Sequence, residues 1–299
     1  MSERKHCGYI ALVGAPNAGK STLLNRLVGT KLSIVTPKVQ TTRSRVLGIT
    51  LRGNAQLIFV DTPGIFTPKR RLDRAMVAAA WAGAEDADLV VVLIDATRGL
   101  DEESRAILDR LAAAGRPIVL ALNKIDLVKR EALLPIADSA RKDYHIDSIF
   151  MISSTLGDGT DDLLDFLAAA APGGEWLFPE DQLTDLPQRL LAAEVTREQI
   201  FLQLHQELPY ATTVETESWE ERADGSVKIA QTIHVQRAGQ KAIVLGKGGS
   251  QIKLIGQAAR AELERFLGRR VHLFLFVRVS EDWAEDRAHY EAIGLDFTE

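Results

Sequence analysis

The feature that most restricts this 299-residue chain is an octapeptide, Gly14-Ala15-Pro16-Asn17-Ala18-Gly19-Lys20-Ser21. It stands between an apolar run, residues 8–13 (GYIALV), that reads as a buried strand and a stretch from about residue 20 to 27 that reads as a helix. The pattern GxxxxGK[ST] between a strand and a helix is a phosphate cradle. Its glycines let backbone N–H groups wrap an anion, and the helix N-terminus adds a favourable dipole. Lys20 is expected to reach the β- and γ-phosphates, the Ser21 hydroxyl to ligate Mg²⁺, and Thr22 to complete the set of nucleotide contacts. A glycine-rich turn without a ligand is the plainer alternative; the strand, helix, lysine and serine together argue against it.

The surrounding pattern agrees with an α/β fold. Residues 46–51 and 56–60 flank Arg52-Gly53-Asn54 and read as an antiparallel pair. Further short β-rich runs lie at 89–94, 118–122 and 149–153, separated by helical patterns at 72–84, 102–114 and about 131–144. Near-continuous apolar strands alternating with helices imply a mostly parallel sheet covered on both faces. The pattern changes after a helix at 161–171: residues 172–187 hold three prolines and two adjacent glycines and read as a connector. Beyond it the order is helix (about 188–207), strands (212–218 and 227–236), short helix (240–245), glycine loop, longer helix (250–267), strand (271–279) and a final helix (283–292). The expected organisation is a nucleotide domain at 1–172, a linker at 173–187 and an α+β domain at 188–299.

Three more signatures follow the octapeptide in order. Asp61-Thr62-Pro63-Gly64 comes directly after a predicted strand, where Asp61 would hold Mg²⁺ through water and the Gly64 N–H would sense the γ-phosphate. Asn123-Lys124-Ile125-Asp126 follows the strand at 118–122 and fits a guanine site. There the Asp126 carboxylate accepts from both the ring N–H and the exocyclic amine; adenine lacks that donor pair and would leave the carboxylate unpaired. Ser153 and Ser154, with Thr155, stand where a short loop closes over the base, though they depart from the more familiar Ser-Ala pair. Within the polar stretch VTPKVQTTRSR, Thr42 is the expected Mg²⁺ and γ-phosphate contact, with Thr41 as the alternative. Lys20, Thr42 and Gly64 are the expected catalytic residues. Position 65, where many GTPases carry a water-orienting glutamine, holds Ile65, which cannot do so.

Net charge is -5, which by itself does not suggest a nucleic-acid partner. That total conceals an asymmetry. Residues 237–278 carry nine Lys or Arg against two acids, Glu262 and Glu264, and acidic stretches flank them. By charge alone such a block reads first as a solvated helix face and second as the footprint of a phosphate-rich partner. Gly246-Lys247-Gly248-Gly249 lies between two predicted helices inside this block. A lone GxxG fits any helix–helix turn. Between these helices it has the KH arrangement, which clamps a single strand. Lys241, Gly246, Lys247, Gly248, Gly249, Lys253 and Arg260 are the expected RNA contacts. Ile243, Val244, Ile252 and Ile255 read first as core and second as groove walls. Phe274 and Phe276 share one side of the last strand and read as packed beneath a helix, and His234 and His272 read as structural.

The phosphate loop with Pro16-Asn17, the Gln-Thr-Thr-Arg stretch at 40–43, the motifs at 61–64 and 123–126 and the GxxG region together resemble the bacterial Era GTPase family, over nearly the whole chain. The resemblance implies a P-loop (Ras-like) α/β GTPase domain followed by an α+β type II KH domain, using GTP/GDP and Mg²⁺. It implies slow hydrolysis stimulated by K⁺ held partly by Asn17. It implies binding to the 3′ end of 16S rRNA in 30S subunit assembly, with no DNA partner, by a monomer. The single Cys7 fits a reducing compartment, and the absence of a long apolar run or secretory signal fits a cytoplasmic chain, with peripheral association to the inner membrane left open. Two other readings stand beside this one: a GTP-regulated switch whose second domain binds protein or membrane, and a simple GTP-turnover enzyme.

Overall fold

The computed structural model describes the chain apart from residues 1–3, 39, 40, 44, 147, 205–207, 282, 284–286, 288, 289, 291–294, 298 and 299. The predicted helix at 283–292 therefore lies largely outside the described residues. The chain divides into two compact units: residues 1–33, 42–185 and 294–299 form the first, and residues 34–41 and 186–293 the second.

The first unit is built on a six-stranded sheet in the order β2-β3-β1-β4-β5-β6. Its strands are β1 (His6–Gly14), β2 (Val46–Arg52), β3 (Ala55–Asp61), β4 (Leu89–Asp95), β5 (Ile118–Asn123) and β6 (Ile149–Met151). Only β2 runs antiparallel to its neighbour, because the two-residue turn at Gly53-Asn54 folds it directly back on β3, with Arg52 opposite Ala55. Helices α1 (Lys20–Val28) and α5 (Thr160–Ala170) bury Leu23, Leu24, Leu163 and Leu167 on one face of the sheet. On the other face lie α2 (Arg71–Asp86), α3 (Glu102–Ala113) and α4 (Leu133–Tyr144), which cover Ala11, Val13, Val90 and Val92. Burial on both faces is why these strands show no polar alternation. The chain leaves β1 for one side of the sheet and later crosses to the other, so the end of β1 is a switch point where α/β sheets hold ligands.

The predicted connector is not a loose tether in its first part. Gln56, fully buried, accepts from the N–H groups of Leu177 (2.9 Å) and Phe178 (3.0 Å). Leu183 O accepts from Ile49 N at 2.8 Å, and Thr184 Oγ1 donates to Leu47 O at 2.6 Å. Residues 176–184 thus run beside β2 and β3 and belong to the first unit.

The second unit contains α6 (Gln188–Gln203), β7 (Thr212–Glu221), β8 (Val227–Val235), α7 (Ala238–Leu245), α8 (Ser250–Leu267) and β9 (Val271–Val279). Its sheet has the order β7-β8-β9, antiparallel then parallel. The parallel β8–β9 pair follows from the crossover through α7 and α8. Ile233, Val235, Val244 and Ile255 form one part of its core, and Val227, Ile229, Ala259 and Leu263 the other. No helix among the described residues is long and apolar enough to cross a membrane.

Candidate functional site

At the C-terminal end of β1 the octapeptide folds back over the start of α1. Lys20 is buried, and its ammonium donates to Gly14 O (3.0 Å) and Ala15 O (3.1 Å), bonds that hold the side chain along the loop. Burial pushes its pKa down to about 8, with the charge of Asp61 opposing the shift. Gly19 sits at φ 101°, and a Cβ there would stand 2.2 Å from Asn123 Nδ2, so only glycine lets the loop approach β5. Asn17 is also in the left-handed region, at φ 63°. Asparagine adopts that conformation more readily than most residues.

Ser21, Thr42 and Asp61 are brought together. Ser21 Oγ donates to Asp61 Oδ2 at 2.7 Å and lies 2.9 Å from Thr42 Oγ1. Asp61 is fully buried, and burial pushes its carboxyl up, against the hydrogen bonds of Ser21, Ser33 and Thr42 and the charge of Lys20. Ser33, which the sequence did not single out, donates to the same Oδ2 at 2.8 Å. Asp61 Oδ1 is buried without a hydrogen-bond partner among the described residues. Thr41, the alternative to Thr42, instead bonds within its own segment, to Thr36 Oγ1 and Lys38 O, both at 2.9 Å. Gly64 lies against Pro16; a Cβ there would meet that residue's N, Cα and Cγ at 3.0 Å. Thr62 Oγ1 donates to Leu12 O at 2.8 Å, fixing the start of the loop that Pro63 continues. Ile65 is part of the core beneath β1 and β4, so its side chain faces away from the loop.

The loops after β1, β5 and β6 meet at Asn123. Asn123 Nδ2 donates to Ala18 O (2.8 Å), while its Oδ1 accepts from Ser154 N (3.0 Å) and Ser154 Oγ (2.9 Å). The hydroxyl that departs from the Ser-Ala pair thus adds a second donor to the asparagine. Lys124, at φ 65°, pairs with Asp95 at 2.6 Å. Burial pushes the Asp95 carboxyl up, but Lys124 and Thr97 together hold it below its ordinary range. Asp126 is exposed in the turn at Ile125–Leu127, and its carboxylate has no partner among the described residues. Ser153 Oγ accepts from Leu156 N at 3.1 Å, which tightens the loop. Arg26 on α1 is a residue that the sequence did not reveal. It donates through Nε to Ser154 O (3.2 Å) and through Nη2 to Thr155 O, clamping the loop from outside. Its only sequence signal was a cation in the last turn of α1.

In the second unit the GxxG loop joins α7 to α8, and its glycines serve two purposes. A Cβ on Gly246 (φ 71°) would meet Gln251 at 2.7 Å, so this glycine is required by the turn. Gly248 (φ 62°) and Gly249 (φ 77°) have nothing within 4 Å of that position and leave the backbone open. The side chains of Lys241, Lys247, Lys253 and Arg260 have no ion pair among the described residues, whereas Lys228 and Arg269 pair with Glu220 and Glu221. Val244 and Ile255 are core, as read; Ile243 is exposed and Ile252 half-buried. Phe274 and Phe276 do not pack beneath a helix. They are 47% and 58% exposed, and Leu275 and Val277 take the inner face of β9 instead.

The family models match this chain in two places: a "50S ribosome-binding GTPase" model over residues 9–124 and a "KH domain" model over residues 207–284. GTPase Era of Mesorhizobium japonicum is 58% identical over 292 residues, covering 98% of this chain and 94% of the relative. The chain belongs to the GTPase Era family. GTPase Era of Rhizobium meliloti is 57% identical, with 97% and 93% covered. Among solved structures, an Era variant from Aquifex aeolicus bound to GDP and aluminium fluoride matches with 40% identity and a TM-score of 0.92, covering 97% of this chain and 99% of that one. Era in complex with MgGDPNP and nucleotides 1506–1542 of 16S ribosomal RNA matches with 40% identity and a TM-score of 0.93, at the same coverage. Membership of the Era family makes this chain a GTPase with a C-terminal KH domain.

Proposed function

We propose that this GTPase is a switch that binds single-stranded RNA, the 3′ end of 16S rRNA, during assembly of the 30S subunit. The observation that carries the RNA reading is the GxxG loop, where two glycines have open space at their Cβ positions, beside cations with no ion pair among the described residues. An Era relative has been solved with that rRNA segment. In this reading residues 1–172 hold nucleotide, 173–187 connect and 188–299 bind RNA.

The nucleotide residues take these roles. Backbone N–H groups of residues 14–21 wrap the phosphates, Lys20 neutralises them, and Asn123 and Asp126 select guanine. Ser21, Thr42 and the orphaned Asp61 Oδ1 suit a divalent cation and its water shell. Mg²⁺ there would neutralise charge on the β- and γ-phosphates. With Ile65 in the core no side chain from that position aligns water, which fits slow intrinsic hydrolysis. Asn17 adds a K⁺ ligand. The protein is a cytoplasmic monomer.

The test is direct. Replacing Lys247 and Gly248 by Asp should abolish binding to a short single-stranded RNA while GDP affinity stays unchanged. RNA affinity equal to that of the unaltered protein would overturn the KH reading and favour a protein- or membrane-binding module.

A further inference from the structure

The alternation of β9 places His272, Phe274, Phe276 and Arg278 on the face of the sheet away from the helices, because Leu275 and Val277 between them are in the core. The register with β8 puts Ala230 beside Phe274 and Thr232 beside Phe276. Both rings are exposed, at 47% and 58%. A surface cleft opens at the start of the strand, lined by Arg260, Glu264, Arg270, His272 and Phe274 among others. The Glu264 carboxylate is engaged, accepting from Val271 N at 3.1 Å. Arg260, Arg270 and Arg278 have no side-chain ion pair among the described residues. At the far end His234 Nδ1 lies 3.0 Å from Ser280 Oγ, and Arg278, beside His234 in the register, supplies the cation there.

Two exposed aromatic rings at i, i+2 on an edge strand, with unpaired arginines at either end, make a stacking platform with phosphate contacts. We propose that β9 is a second RNA lane, in which unpaired bases stack on Phe274 and Phe276 while Arg260, Arg270 and Arg278 hold the phosphates. This rests on the RNA reading above. Arg260 lies ten residues along α8 from Ser250, about 15 Å from the GxxG end. A KH clamp takes only about four nucleotides, so the lane engages RNA that continues past the clamp. The charge favours this occupant over an apolar protein surface.

The experiment compares two labelled RNAs of one sequence, about five and about twelve nucleotides long, on the full chain with a non-hydrolysable GTP analogue. The double variant Phe274→Ala/Phe276→Ala should bind the long RNA at least about tenfold more weakly and the short one unchanged. Phe274→Trp/Phe276→Trp should retain long-RNA affinity, and Arg270→Glu should weaken only the long RNA. Unchanged long-RNA affinity in the double alanine variant overturns the lane, as does a change in self-association with RNA binding intact. The Lys247/Gly248 double Asp variant separates the two claims. If it keeps the short RNA, the clamp fails; if it loses both RNAs while the Phe variant loses neither, the lane fails alone.

Discussion

At the scale of single residues, Lys20 and Asn17 carry the most testable chemistry. Burial lowers the Lys20 pKa from 10.5 to about 8 in the nucleotide-free protein. Between those values the unfolded chain binds more protons than the folded one, so nucleotide-free stability rises with pH across that window and the gain is complete above it. Bound phosphates need the ammonium, so nucleotide binding takes up a proton once the pH passes about 8. GDP affinity should be flat below that point and about fourfold weaker at about pH 8.5 than at about pH 7; titration with a fluorescent GDP checks this, and a flat profile would contradict it. Asn17 has a second reason to be asparagine, its backbone at φ 63°. Replacing it by Ala would add backbone strain of about 1 kcal/mol, whereas Asn17→Gly removes the side chain without that strain. K⁺ stimulation of hydrolysis should disappear in Asn17→Gly while GDP still binds. A retained K⁺ response would assign Asn17 to loop geometry alone.

At the scale of elements, the loop after β6 depends on Arg26 reaching from α1 to Ser154 O and Thr155 O. Because Arg26 is exposed, its contribution is modest. Arg26→Ala should speed GDP release by about threefold to tenfold, and should weaken GTP and GDP equally because the clamp acts at the base. Stopped-flow release of both nucleotides measures it; an effect confined to GTP would show that Arg26 acts elsewhere. This clamp illustrates what was legible. The strands and helices were, because strands such as β4, buried along residues 90–94, are apolar runs there and glycines such as Gly29 (φ 79°) mark where helices stop. The motif residues were legible because their spacing fixes where they stand along the sheet edge. Arg26 and Ser33 were not, since their partners lie 128 and 28 residues away and no local pattern records such pairs. β9 misled for another reason. HLFLF is apolar at both parities, so alternation could not say which side faces the core, and the phenylalanines proved to be outside.

At the scale of the whole molecule, the chain passes from the second unit to the first between Thr41 and Thr42. Thr42 bonds to Ser21 in the phosphate site, while Lys38, four residues earlier, donates to Phe201 O and Leu204 O at the end of α6. Thr42 and Lys38 are separated by four residues of chain, so the two units are covalently linked at this point. A coupling of about 1–3 kcal/mol, or about five- to 150-fold in affinity, is ordinary for such linkage, and it is reciprocal. The decisive measurement is the affinity of the full chain for a single-stranded RNA of the 16S 3′ end, at one salt concentration, with GDPNP and with GDP. Tighter binding with GDPNP by at least about fivefold is the predicted result. Equal affinity in the two states would contradict a GTP-controlled RNA switch.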